Sequence, residues 1–198
     1  MKTISLFKTR LLQATFISAT LLGAAACQNS QKAEDTKEVA EEHNEAKFDD
    51  SKSEKDAQFL VNAAEINLKE IALGELAQSK SMMTDVKDLG KMMKSAHLKS
   101  FDDLTALAKK KSITIPTSPT DEAKDDYKKL NDKSGSDFDI KYCDLMVKGH
   151  KDAIEAFEKA STDAKDADIR DWATNTLPEL RAHLDHAISC QKKCEKYK

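Results

Sequence analysis

The chain has 198 residues, long enough for one ordinary domain and short for two. Hydrophobic residues make up 39%, aromatics 6% and charged residues 34%, with only 5 Gly and 3 Pro, which excludes an all-β sandwich or barrel and favours helices. The formal net charge is -3 and no stripe of clustered Lys/Arg exists, so nucleic acid is not expected as a partner.

Residues 1–26 read as a leader. Lys2, Lys8 and Arg10 supply positive charge, then Leu11 to Ala26 is uncharged and mostly apolar. That stretch is shorter than the roughly 20 residues a bilayer-spanning helix needs. It ends in Gly23-Ala24-Ala25-Ala26 before Cys27, and the segment resembles the lipobox of bacterial lipoproteins, with Cys27 as the lipidated residue. It departs from that pattern at Ala24, where Leu is usual. The resemblance implies a membrane anchor without a transmembrane helix, since each buried acyl CH₂ contributes about 0.8 kcal/mol. It also implies an envelope location at the outer membrane, periplasmic or surface-exposed. Without the leader's three bases, 29 basic residues face 35 acidic ones.

Residues 27–55 carry few large apolar side chains, Val39 and Phe48 among them, with nine acids against five lysines from Gln28 onward. Such a segment buries too little surface to order itself and is expected to be a disordered acidic tether. The early Gln31-Lys32-Ala33-Glu34-Asp35 is weakly similar to the short acidic sorting signals of Bacteroidetes surface lipoproteins, and reads in the first place as a plain solvated charge run.

From residue 56 to 198 the apolar pattern has helical period in four segments. Phe59, Ala63, Ile66, Leu73 and Ala77 line the first, whose polar side is Asn62, Glu65 and Lys69. Val86, Gly90, Met93, Phe101, Leu104 and Ala108 line the second. The third runs from about Gly135 to Ala160 with Phe138, Tyr142, Met146, Ala153 and Phe157 inward. The fourth runs from about Asp166 to Lys193 with Ile169, Trp172, Leu180, Leu184 and Ala187 inward, and Pro178 on its polar face should kink it. Between the second and third, Pro116 and Pro119 break the chain before a short helix from Thr120 to about Lys133. Short links near residues 79–84 and 161–165 make antiparallel hairpins. The expected fold is all-α: a ferritin-like four-helix bundle of two antiparallel hairpins joined by a crossover with a short helix.

Ionisable groups fall inside these apolar arcs, where burial is costly unless they are paired or ligate metal. Glu70 lies on the inner face of the first helix and His97 on that of the second. Asp139, Tyr142 and His150 lie on that of the third, and His183 near the edge of the fourth.

The order and spacing of Ala63-Ala64, Glu70 and Leu73-Gly74, then Met93 with His97, then Phe138-Asp139 with Tyr142 and His150, then Leu177-Pro178 with His183-Leu184, resembles the bacterial domain of unknown function 4142 family. The likeness spans roughly Asp56 to Ala187. It implies a ferritin-like helical fold and an envelope location, and no established reaction. Family members often carry an acid where this chain has Ala96.

Two readings of the inward groups follow. In one, Glu70, His97, Tyr142 and His150 satisfy one another in a buried hydrogen-bond network that sets bundle register, and the protein is a structural or interaction module for envelope maintenance or stress, with an envelope protein as partner. In the other, Glu70, His97, Asp139, His150 and His183 supply ligands for Fe, Zn, Mn or Cu in a metal-binding or redox protein. Against the second stand three points. No histidine is preceded by Glu in a Glu-x-x-His pair. With a turn near residue 163, His150 falls level with about residue 176, leaving His183 roughly 10 Å away. Asp139 also reads as a helix cap. His186 and His43 read as surface residues, and the methionines as gap fillers. No serine or cysteine nucleophile stands beside the histidines, so no catalytic residue is assigned. Beyond Cys27, an odd three thiols remain: Cys190 and Cys194, one turn apart, with a strained disulfide conceivable, and Cys143, expected as a small core residue.

Overall fold

A computed structural model describes residues 34–196; the leader, Cys27 and the start of the tether lie outside the described residues. Six helices follow in order: α1 Thr36–Glu45, α2 Ser51–Lys80, α3 Thr84–Lys111, α4 Asp121–Asn131, α5 Gly135–Asp163 and α6 Ala167–Glu195. Among the described residues the fold is all-helical, and no helix is long and apolar enough to cross a membrane.

The helix ends are written in the sequence. Asp50 starts α2 by accepting from the Lys52 and Ser53 amides, Thr120 starts α4 through the Ala123 amide, and Asp166 starts α6 through those of Asp168 and Ile169. Ser112 ends α3 in the left-handed region, φ 54°, after three lysines that suit the negative end of the helix. Helix α6 runs continuously through Pro178.

Two long hairpins dominate, α2 with α3 and α5 with α6. Both are antiparallel, as the cross-pairs Asn67–His97 and Glu75–Lys94, and Asp144–Gln191 and Glu158–Arg181, require. The segment between Ser112 and Thr120 and then α4 carry the chain from the first hairpin to the second. At the crossing of α2 and α3 the backbones nearly touch. A Cβ on Gly74 would sit 2.6 Å from the Gly90 carbonyl oxygen, and one on Gly90 2.7 Å from that of Gly74, so only glycine fits at either position.

Apolar side chains gather in two clusters. Leu60, Ala64, Leu104, Phe157, Ile169 and Leu180 belong to the first, where Phe59, Phe157 and Trp172 meet at ring-centroid distances of 5.0 to 5.8 Å. Leu73, Val86, Met93, Phe138, Met146 and Ala187 belong to the second. Along each long helix one cluster stops before the other begins, and a polar layer occupies the interval.

The boundary expected at residue 56 moves forward. Residues 36–45 are helical and α2 already begins at Ser51, so this part of residues 27–55 is not a disordered tether. Polar pairing, which apolar content does not register, orders it. The Asn44 amide donates to the Thr114 carbonyl at 2.8 Å and accepts from its N–H at 2.9 Å. Asp35 caps α1 and also accepts from the Asp121 amide. Lys37 pairs with Glu65 at 2.6 Å, and Thr120 donates to the same carboxylate at 2.6 Å. Glu65, expected on the solvated side, is therefore buried beneath the polar groups that α1 and α4 bring over it.

Candidate metal centre

Each long helix contributes to the layer between the two apolar clusters: Asn67 and Glu70 from α2, His97 from α3, His150 from α5 and His183 from α6, all buried. The three imidazoles converge. Ring centroids lie 5.6 Å apart for His97–His150, 5.6 Å for His97–His183 and 5.4 Å for His150–His183. One nitrogen from each ring lies within 4.8 Å of the others.

Their hydrogen bonds decide which nitrogens are left over. Asn67 Nδ2 donates to the Ala63 carbonyl at 3.0 Å, which turns its Oδ1 to His97 at 2.8 Å. His97 must therefore carry its proton on Nδ1. His150 Nδ1 lies 2.9 Å from the Met146 carbonyl, an acceptor only, so the same tautomer holds there. Nε2 of both rings and Nδ1 of His183 have no hydrogen-bond partner among the described residues. His183 turns its other nitrogen toward Glu179, 3.8 Å away. This is how metal-ligating histidines are held: the second nitrogen is fixed by a carbonyl or amide oxygen and the first is kept as a lone pair.

Electrostatics keep the lone pairs available. Burial pushes His97 well below the ordinary imidazole range, aided by its two imidazole neighbours, and lowers His150 to about 4. His183 is lowered by burial as well. All three are neutral near pH 7, the form that binds a cation. Glu70 is displaced the other way: burial raises its carboxyl to about 8, opposed by Lys69. Its Oε1 faces Gly149, where a Cβ would come to 3.2 Å. Burial, followed by the Glu70 charge, also raises the Tyr142 phenol. Glu70 lies outside the group of atoms within 4.8 Å.

The obstacle foreseen for His150 and His183 is removed by register. Helix α5 ends at Asp163 and α6 starts at Ala167, so the turn is centred near residue 165 and His150 is level with about residue 180. The remaining three residues, about 4.5 Å, are closed by side-chain direction. Helical side chains lean toward their own N-terminus, and across an antiparallel pair His150 and His183 lean toward each other.

Other expectations are corrected. Asp139 neither caps α5, which follows Ser134, nor joins the histidines: eleven residues from His150, about 16 Å along the helix, it accepts from the Ser81 hydroxyl at 2.5 Å. Glu70, His97, Tyr142 and His150 do not satisfy one another. Glu70 Oε2, the Tyr142 hydroxyl and both Nε2 atoms are without hydrogen-bond partners among the described residues. Asn67 was missed, although Leu60, Ala63, Asn67, Glu70, Gly74 and Ala77 form one unbroken stripe at steps of 3 and 4, and all six are buried.

A groove between α3 and α6, lined by Asp88, Met92, Ala96, Glu179 and His183, leads from solvent to the edge of the centre. Its walls carry Asp88 and Glu179 together with Lys91 and Lys99, so acids and bases are balanced there.

A family model described as Domain of unknown function (DUF4142) matches residues 38–189. The chain belongs to this family. The match takes in most of α1, all of α2 to α5 and most of α6, and so every member of the polar layer of this DUF4142 domain. No curated protein and no solved structure matches the chain.

Proposed function

We propose that this DUF4142 protein is a bacterial envelope lipoprotein, anchored through acylated Cys27, whose ferritin-like four-helix bundle holds one divalent transition-metal ion on His97, His150 and His183. The observation that carries the metal reading is the convergence of three buried imidazoles, each with one ring nitrogen that has no partner among the described residues. Each unsatisfied buried polar atom costs about 1–3 kcal/mol, and an ion bound by all three offsets that cost at once. Imidazole suits Zn, Cu, Fe and Ni, and three protein ligands leave a further position for water or a small ligand, as reactive rather than closed sites do. Glu70, protonated near neutral pH, loses its proton when a cation arrives nearby, which balances part of the added charge.

The envelope setting is supported by the leader, the lipobox-like end and Cys27. A structural module for envelope maintenance or stress is the second reading. It draws on the two apolar clusters, to which residues of all four long helices contribute.

The test is elemental analysis of the untagged full chain after equilibration with Zn²⁺, Mn²⁺, Fe²⁺ or Cu²⁺ in separate samples. Wild type is expected to hold one ion per chain more than His97→Ala, with helix content retained in the variant. Equal metal content in wild type and His97→Ala would overturn the proposal.

A further inference from the structure

A second cluster lies two turns from the histidines and shares no residue with them. Cys143 on α5 and Cys190 and Cys194 on α6 are all buried free thiols. The Cys143 sulfur donates to that of Cys190 at 3.3 Å and lies 3.6 Å from that of Cys194, and all three fall within 4.8 Å of one another. The register that pairs His150 with His183 makes this cluster too. Cys143 precedes His150 by seven residues and Cys190 follows His183 by seven, so the same helix faces meet again about 10.5 Å along the bundle.

The geometry points to a thiolate metal site on Cys143, Cys190 and Cys194 that takes a divalent thiophilic ion of the zinc type, separate from the three-histidine centre. Sulfurs bound tetrahedrally at about 2.3 Å stand roughly 3.8 Å apart, close to the spacing already present. A groove lined by Asp85, Asp88, Met92, His186 and Cys190 reaches the cluster from the α3–α6 side, beside the one that reaches His183.

Charge disfavours a monovalent ion. Each sulfur–metal bond forms as a thiol proton leaves to solvent, so three thiolates around a divalent ion carry one net negative charge, whereas a monovalent ion would leave two in the same buried space.

Cobalt(II) titration of the reduced, untagged full chain reads this site directly, because sulfur-to-cobalt charge transfer absorbs in the near ultraviolet and imidazole ligation does not. The expected result is a charge-transfer band that saturates at one ion, is displaced by Zn²⁺, persists in His97→Ala, and falls at least tenfold in Cys190→Ser and in Cys194→Ala. Loss of only one of two bound cobalt ions in His97→Ala with the band intact supports two separate sites, whereas a band absent from wild type would sink this one and leave the histidine centre standing. A band unchanged in both cysteine variants overturns the assignment.

Discussion

His150 and His183 face each other across the α5–α6 hairpin with ring centroids 5.4 Å apart, although a turn placed at residue 163 would separate them by seven residues. The relationship depends on the turn's position, centred near residue 165, and on the opposed lean of side chains on antiparallel helices. It follows that His183→Ala and His150→Ala should each remove the histidine-bound ion. His186→Ala, an exposed neighbour one turn from Ala182, should leave it in place. Competition with a chromophoric chelator measures all three; loss of the ion in His186→Ala would contradict the assignment.

Asn67 holds the His97 ring through its amide oxygen while its own amide is held by Ala63. Asn67→Ala should weaken the ion about 10- to 100-fold, the usual effect of losing a histidine's supporting partner. Asn67→Asp, which keeps an acceptor at the same place, should recover part of that loss. Isothermal titration of the two variants checks the order.

Glu70 gives a pH signature. Its carboxyl titrates near 8 in the fold against an ordinary 4.5, so the folded state holds the proton more tightly. That contribution is complete below about pH 4.5 and is lost as pH rises through about 8, a raised folded value acting below and failing above. His150, lowered to about 4, acts oppositely: its contribution is present above pH 6.5 and lost as pH falls toward 4. Glu70→Gln stays neutral throughout, so relative to wild type it should gain stability between pH 5 and pH 9, on the order of a few kcal/mol. Chemical denaturation in the presence of a chelator at those two pH values measures the difference. A difference that does not change with pH would contradict the burial of the carboxyl.

The α2–α3 crossing is set by glycine. Gly90→Ala places a methyl 2.7 Å from the Gly74 carbonyl oxygen and 2.8 Å from the Ala77 Cβ, neither of which is a flexible side-chain end. The helices must separate, at a cost of about 1–3 kcal/mol. Because His97 lies two turns beyond Gly90 on the same helix, metal affinity should fall as well. Thermal unfolding and a metal titration on one preparation test both effects.

Much of this was legible in the residues. The period of the apolar positions marked all four long helices, and the prolines after Ile115 marked the crossover. Glu70, His97, His150 and His183 stood out because each interrupts an apolar arc. What stayed hidden has a physical reason in each case. Helix α1 is ordered by Asn44, Lys37 and Asp35 reaching partners 28 to 86 residues away, and no local count of apolar side chains contains that information. The three thiols meet through the hairpin register, which a turn position misjudged by two residues already obscures. Asn67 was passed over because asparagine in a helix reads as solvated, yet its place in the stripe from Leu60 to Ala77 was open to view.

The claim at the centre is that His97, His150 and His183 share one ion. Anomalous diffraction at the zinc edge, from crystals of the protein equilibrated with Zn²⁺, tests it most directly. The account predicts a peak inside the bundle about 2.0–2.1 Å from one nitrogen of each ring. Three rings that stay unligated while zinc occupies only surface carboxylates would contradict it.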